Sequence, residues 1–392
     1  MVRYSLAAAF ISLIVSKDAN IIKAADAHDG HDDKAWSYLP VTVPTPLSDM
    51  SITVLTVGGG DNSTATSKRI IITGGCDNPE GNEFVEEDWG AGFSCNSLSS
   101  KAYAFDPIRH SSFQAWTGEF ETLADMPRTR NRHASAVVNG NTVCVFGGRD
   151  VTDSLIAEVD CYNADTNEWS TPTSLPEQYQ SSDFTAFVEG DTKVHLVGGY
   201  NAEYTALDQV TVVDMSNLGD VTYSDGSKLG EKRGDIDVAV LDNGHVYVSG
   251  GFTHENDYAA PKNTVEKYSP ASQTWSDVDS LNQERGDKQL VALNGKIYAI
   301  GGEAKVDVTG VAAEELPELG ARSEVLDSVE VLDPEEDIHG GLAQWKNLAG
   351  MPGQLFRFAA SEWEVEGDDE DDGFIFVFGG QVGYDSDCKC FR

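Results

Sequence analysis

Cations are scarce in this chain: 27 Lys and Arg face 65 Asp and Glu over 392 residues, a formal net charge of −38. Nucleic acids and anionic lipid surfaces are held by several Lys or Arg that displace counterions, so this balance excludes both as general partners. After the first residues no apolar run approaches the roughly 20 residues of a membrane-spanning helix, so no membrane insertion is expected. The sequence has no Cys-x-x-Cys, no phosphate-binding Gly-Lys loop, no nucleophile elbow and no zinc helix motif, and no cofactor is expected. Hydrophobic residues at 40% and aromatics at 9% suffice for a core and exclude wholesale disorder.

What is present begins with an address. Arg3 supplies a positive start and Tyr4 to Val15 is apolar, ending at Lys17 and Asp18, the pattern of a secretory leader. Residues 1–25 are assigned to it, with cleavage after Ser16, Ala24 or Ala27, and residues 26–34 read as an acidic linker. His28 and His31 stand there among acids, and a trimmed Asp26-Ala27-His28 terminus is a weak Cu²⁺ candidate. A secreted protein is therefore expected. Its six cysteines suggest disulfides, with fifteen possible pairings. Proximity favours Cys76 with Cys95 and Cys144 with Cys161, leaving Cys388 and Cys390 to each other or to outside thiols.

Six apolar runs end in a glycine doublet: Gly74-Gly75, Gly147-Gly148, Gly198-Gly199, Gly250-Gly251, Gly301-Gly302 and Gly379-Gly380. Their intervals are 73, 51, 52, 51 and 78 residues. In phase with them, a tryptophan follows a strand-ending apolar residue at Trp116, Trp169, Trp275 and Trp345, and Met-Pro or Leu-Pro pairs follow at Met126, Leu175 and Met351. On these marks the chain resembles the Kelch family of β-propellers, whose repeats of about 50 residues each form a four-stranded blade. The resemblance covers residues 35–392 as a single domain. It implies an all-β, six-bladed Kelch-type propeller in which doublets and tryptophans are structural.

The last doublet leaves Gln381 to Arg392, enough for one more strand and no fourth. Ala35 to Pro40 carries the tryptophan (Trp36) and Leu-Pro marks of an outermost strand without inner strands before it. The sixth blade is thus expected to be closed by this N-terminal strand, leaving no open edge in the ring.

Loops after second strands and loops entering first strands emerge on one side, where function usually sits. The two long intervals place inserts there, Cys76 to Ser100 and Glu303 to Val325, either walling a cleft or serving as solvated decoration. Arg130, Arg233, Arg285 and Arg357 each stand nine residues before a hairpin turn, marked by Asn139, Asp242, Asn294 and Glu366, with Gln180 in the fifth place. Converging on the channel with Arg132, Arg149 and Tyr200, they make a candidate reader of carboxylates. In the Kelch family arginines at this place also pair with acids of neighbouring blades, and in its cytosolic oxidative-stress sensor they hold an acidic peptide. Two of them open Arg-Gly-Asp triplets, Arg233-Gly234-Asp235 and Arg285-Gly286-Asp287, which resemble integrin ligands but sit in register with the repeat.

On the opposite face, Asn62-Ser63-Thr64 is a glycosylation sequon, and Glu364 to Asp372 is an acidic tip without the spacing of a calcium loop. The histidines do not supply a galactose-oxidase-like copper site, nor the Glu-x3-Asp-x3-His of iron-dependent specifier proteins. A sialic-acid mutarotase-like enzyme is the better enzymatic resemblance, with Arg149, Arg233, Arg285 and Glu303 as its groups. The preferred reading is an exported, noncatalytic propeller whose arginine-bearing face binds a protein, an acidic peptide or an acidic glycan, with the carbohydrate-active enzyme as the alternative.

Overall fold

The computed structural model describes Trp36 and residues 39–57, 67–77, 82–87, 90–93, 95, 97–110, 115–255, 258–305, 323–335, 343–364, 373–381, 384–385 and 390–391. The leader, the linker, the sequon at Asn62, Cys388 and the acidic tip at 365–372 lie outside the described residues.

Runs of β-branched and aromatic residues bounded by turns set the strands. In Thr142–Phe146 every residue is buried, as befits a strand flanked on both sides, while its neighbour Ala134–Val138 alternates buried and half-buried. The outer strand Glu168–Ser174 is polar and mostly exposed. Four such strands, antiparallel and in chain order from the axis outward, form one blade. Blade one comprises Ser51–Val57, Ser67–Thr73, Ala102–His110 and Ala115–Thr122; blade two, Ala134–Val138, Thr142–Phe146, Glu158–Asn163 and Glu168–Ser174. Blade three comprises Thr185–Glu189, Lys193–Val197, Val210–Asp214 and Thr222–Asp225; blade four, Asp237–Val240, Val246–Ser249, Val265–Ser269 and Thr274–Val278. Blade five comprises Gln289–Leu293, Lys296–Ile300, Val329–Leu332 and Lys346–Leu348.

The fold is an all-β propeller, but five blades are four-stranded, not six. The sixth segment is a two-stranded hairpin, Ala359–Glu364 with Gly373–Phe378. Its expected third strand goes elsewhere: Cys390–Phe391 pairs with Asn82–Glu83 of the first insert, within a small sheet that also holds Tyr384–Asp385 and Gly90–Phe93. Its expected outermost strand is not a strand at Trp36, although that side chain is 7% exposed. Trp36 Nε1 donates to Ala349 O at 3.1 Å, as Trp345 Nε1 donates to Asp279 O and Trp169 Nε1 to Ala124 O. The N-terminal tryptophan therefore makes the inter-blade bond of an outer-strand tryptophan.

The core lies between segments. Ala239, Leu241 and Tyr247 of blade four pack on Leu290, Ile297, Leu332 and Trp345 of blade five. Trp36 packs with Val291 and Tyr298 of blade five on Ile375 and Val377. Trp116 and Phe105 of blade one meet Phe374, Phe376 and Phe378 edge-on, sealing last segment to first. Each such side chain contributes about 1.5–3 kcal/mol by leaving water. Trp275 packs against Tyr268 and Phe187 across the seam between blades three and four. Two disulfides are formed, Cys76–Cys95 and Cys144–Cys161, the second joining directly opposed residues of adjacent strands. Among the described residues no helix is long and apolar enough to cross a membrane.

Candidate binding site

Each doublet turns its chain in the left-handed region; at Gly147 and Gly148 φ is 56° and 83°. A Cβ on Gly147 would stand 2.5 Å from Ser181 O of the next blade, so glycine is required there. The second glycine of each doublet donates its N–H to the next segment: Gly75 to Arg130 O, Gly148 to Ser181 O, Gly199 to Arg233 O, Gly251 to Arg285 O, Gly302 to Leu355 O and Gly380 to Leu47 O. The sixth of these bonds closes the ring head to tail.

Two residues further on, all six segments place a residue at φ between 51° and 56°: Asp49, Arg132, Asp183, Asp235, Asp287 and Arg357. Their backbones form a closed collar. Asp49 N donates to Arg357 O, Arg132 N to Asp49 O, Asp183 N to Arg132 O, Asp235 N to Asp183 O, Asp287 N to Asp235 O and Arg357 N to Asp287 O, at 2.8 to 3.2 Å. These residues line a central channel of about 330 Å³ with the innermost strands.

The collar carries four carboxylates and two guanidiniums. Arg357 bridges Asp287 at 3.0 Å and Asp49 at 3.4 Å, and Arg132 stands 3.5 Å from Asp183. Asp235 accepts from Tyr200 OH at 2.9 Å. Burial, then the Asp287 and Asp183 carboxylates, push its carboxyl well above the usual range. Arg132 also donates to Tyr204 OH, which is bonded to Asp153 and raised to about 12, chiefly by burial.

Just before the collar, a second ring of bridges joins each entry loop to the residue after the doublet: Ser48 with Cys76, Asn131 with Arg149, Ser182 with Tyr200, Gly234 with Phe252, Gly286 with Glu303, and Phe356 with Gln381. Arg149 and Tyr200, expected at the channel, occupy this ring. Arg149 is 1% exposed, donates to Ser182 Oγ, Asp153 O and Asn201 O, and stacks 3.7 Å over the Tyr204 ring.

The four expected arginines do not converge. Arg130, Arg233 and Arg285 are 0% exposed inside blades two, four and five. Arg285 Nη2 meets Glu330 Oε1 at 2.7 Å, Arg233 Nη2 meets Glu266 Oε1 at 3.0 Å, and Arg130 Nη2 meets Asp160 Oδ2 at 2.5 Å. Each pair lies within one blade rather than between neighbours. Burial pulls Arg130 down to about 10 against the opposing pull of Asp160. Arg357 is not their equivalent but that of Arg132. Counting back from the turn misplaces it by two, because the inner strand of the sixth segment, Ala359–Glu364, is longer than Asp237–Val240 or Gln289–Leu293. Gln180 ends a 3₁₀ turn and donates to Leu175 O; Ser181 holds the arginine's place.

The Arg-Gly-Asp triplets resolve residue by residue. The arginine pairs within its blade, and the aspartate joins the collar. The glycine accepts an aromatic ring, since a Cβ on Gly234 would overlap Tyr200 and one on Gly286 would overlap Phe252. With Arg233 and Arg285 sealed, neither triplet presents its guanidinium to an outside receptor. Of the residues named for sugar chemistry, Arg233 and Arg285 are engaged with Glu266 and Glu330, while Glu303 is bridged to Gly286. Among the described residues no cluster of His, Cys, Asp and Glu is arranged to hold a metal ion.

The carboxylates of the collar went unread in the sequence, though a signal exists. Ser48-Asp49, Ser182-Asp183, Gly234-Asp235 and Gly286-Asp287 repeat a small residue and an aspartate in register.

Above this floor stand the parts that break the repeat. Hairpins Phe252–Glu255 with Tyr258–Pro261 and Glu303–Lys305 with Ser323–Val325 rise from the bridge ring of blades four and five, and they touch each other. The insert of blade one carries the small sheet shared with the C-terminal strands.

Residues 60–302 match the KLHDC2/KLHL20/DRC7 Kelch-repeats domain family. Alpha-scruin of Limulus polyphemus is 27% identical over 200 residues, 50% of this chain and 21% of that protein. Kelch-like protein 40 of Xenopus laevis is 27% identical over 169 residues, 43% of this chain and 26% of that protein. Kelch-like protein 33 of Homo sapiens is 30% identical over 145 residues, 36% of this chain and 21% of that protein. These matches span only a fifth to a quarter of the relatives' lengths. The solved structure of YjhT aligns with a TM-score of 0.57 at 13% identity, covering 88% of this chain and 96% of that one, a likeness of fold alone.

Proposed function

The chain belongs to the Kelch-repeat family, and from that premise we propose that it is a noncatalytic binding protein whose hairpin-bearing face takes a protein partner. One observation carries this reading: the non-repeating hairpins gather on one side, above a collar closed by backbone bonds and ion pairs. A rigid floor with variable walls is how scaffolds commonly present recognition loops. An acidic peptide or glycan needs free cations on that face, and of the arginines named for it Arg130, Arg233 and Arg285 are engaged with Asp160, Glu266 and Glu330 inside blades, Arg357 with Asp287 and Asp49, and Arg149 with Ser182, Asp153 and Asn201. A protein surface that meets the hairpins is therefore favoured over an acidic glycan.

The same proposal places the protein in the secretory pathway, with residues 1–25 removed at a cut between 16 and 27, residues 26–34 as linker, residues 35–392 as one propeller and a sugar on Asn62. The apolar leader and the even cysteine count support it.

The test is cross-linking capture from extracellular fluid, read by quantitative mass spectrometry. It compares the wild type, a variant whose residues 252–261 are replaced by the connection of blade three, and Val240→Ser at the opposite mouth of the channel. Proteins held by the first and third but lost from the second are expected. Equal capture by all three would remove the hairpin face as the site.

A further inference from the structure

The residue after each collar position is a wedge driven between its own segment and the one before. At four seams it is apolar: Met50, Phe184, Ile236 and Phe358, each packed against glycine doublets. Two seams are polar. Between blades one and two the wedge is His133, whose Nε2 stands 3.0 Å from the hydroxyl of Thr73, the residue before that doublet. Between blades four and five the wedge is Lys288, and Ser249 takes the place of Thr73. Here the pair is not bonded. Lys288 is 2% and Ser249 0% exposed, and neither Lys288 Nζ nor Ser249 Oγ has a hydrogen-bond partner.

The charged groups facing Lys288 are committed to others. Asp237 accepts from Thr185 Oγ1 and from the backbone N–H of Val238 and Leu290. Arg233 and Arg285 are held by Glu266 and Glu330, and Asp287 by Arg357. Glu303 lies beyond, in the bridge to Gly286. A protonated amine in this seam has no bonded counter-ion, whereas the neutral amine fits much as the Met50 side chain fits its own seam.

We propose that the seam between blades four and five is a proton-controlled latch, loosened when the Lys288 amine carries a proton and closed when it does not. Burial pushes this amine down to about 7; Asp237 opposes the shift, and Arg285 and Arg233 add to it. The open seam binds the proton more tightly than the closed one, so opening is favoured in full below about pH 7 and declines as pH rises toward 10.5. The two hairpins that touch belong to these two blades and flank the seam, so the latch sets their spacing. That last consequence rests on the binding face proposed above; the latch itself does not.

Hydrogen exchange on the intact, ligand-free protein at pH 7 and pH 9, corrected for intrinsic exchange rates, tests it. Peptides spanning Val246–Ser249 and Gln289–Ile300 are compared with Thr185–Val197, whose seams are wedged by Phe184 and Ile236. Openings about 50-fold fewer at pH 9 than at pH 7 are expected at the Lys288 seam alone, and Lys288→Met is expected to abolish the difference. Equal pH dependence at all three seams, or an unchanged profile in Lys288→Met, would overturn the latch. Should Lys288→Met not fold, the wild-type comparison among seams decides. Since no ligand is present, failure here leaves the proposed binding face standing, and loss of that face leaves this result standing.

Discussion

Arg285→Met separates a structural arginine from a ligand-reading one. The Arg285 guanidinium is fully buried and donates to Glu330 Oε1 at 2.7 Å, to Gly301 O at 2.8 Å, to Ser328 O at 3.1 Å and to Ser328 Oγ at 3.0 Å. Burial pulls it below its usual range, and Glu330 restores part of the loss. Its removal strands the Glu330 carboxylate in the blade with only the backbone N–H groups of Asn282 and Gln283 as donors. Breaking a buried pair from one side costs about 3–5 kcal/mol, because the remaining charge is uncompensated. Removing both charges avoids that penalty, so Arg285→Met with Glu330→Leu should recover part of the loss. The residual is about 1–3 kcal/mol for each buried donor or acceptor left unsatisfied. Urea unfolding followed by tryptophan fluorescence reads this as a fall in midpoint at constant m. A single variant within about 1 kcal/mol of wild type, or a double variant worse than the single, would refute the assignment of this arginine to the scaffold.

Trp36→Ala should lose about 3–5 kcal/mol by truncation, plus the bond to Ala349 O; a loss under 1 kcal/mol in the same urea assay would mean that the N-terminal segment does not hold the ring. Gly286→Ala should lower the melting temperature by forcing Phe252 from its place, and Phe252→Leu in the same chain should restore part of it; an unchanged melting temperature would contradict that contact. Wild-type stability should rise between about pH 7 and 10.5, because the unfolded chain binds a proton at Lys288 that the folded chain gives up. Lys288→Met should flatten that rise and gain about 4 kcal/mol at pH 7, read by denaturant titrations across pH. Reduction of Cys144–Cys161, whose cysteines are 17 residues apart, should cost about 3 kcal/mol, with peptide mass mapping before and after reduction checking which pairs exist.

The scaffold was readable because its signals are local and repeated. A glycine doublet must turn beside the next segment, so it recurs in all six, and a Trp seals the outer strand of most blades, blade three carrying Tyr223 instead. The two disulfides chosen by proximity are formed, since each spans a single blade. Three things escaped. The C-terminal strand pairs with Asn82–Glu83, about three hundred residues away in sequence, and no periodic signal announces such a pairing. The arginines were placed on the right turn, but whether a guanidinium at that turn faces the axis or the blade depends on an acid in the third strand, at Asp160, Glu266 or Glu330. Arg357 was assigned by counting from a turn whose strand is longer than its counterparts.

Arg-Gly-Asp at 233–235 and 285–287 shows why recurrence alone misleads about function. Its three letters satisfy three separate demands: a counter-charge for a buried acid, clearance for an aromatic ring, and a left-handed residue in the collar. The arginine and the glycine are thereby spent inside the fold. The same holds for Arg149 and Tyr200, whose polar groups are spent on Ser182, Asn201 and Asp235. Positions fixed by the ring's own geometry are used up in closing it, and the proposed binding face accordingly rests on segments where the period fails. In this chain those are the hairpins of blades one, four and five. Substitutions in residues 253–260 should accordingly change partner capture with little effect on stability, whereas substitutions at Arg233 or Asp235 should do the reverse.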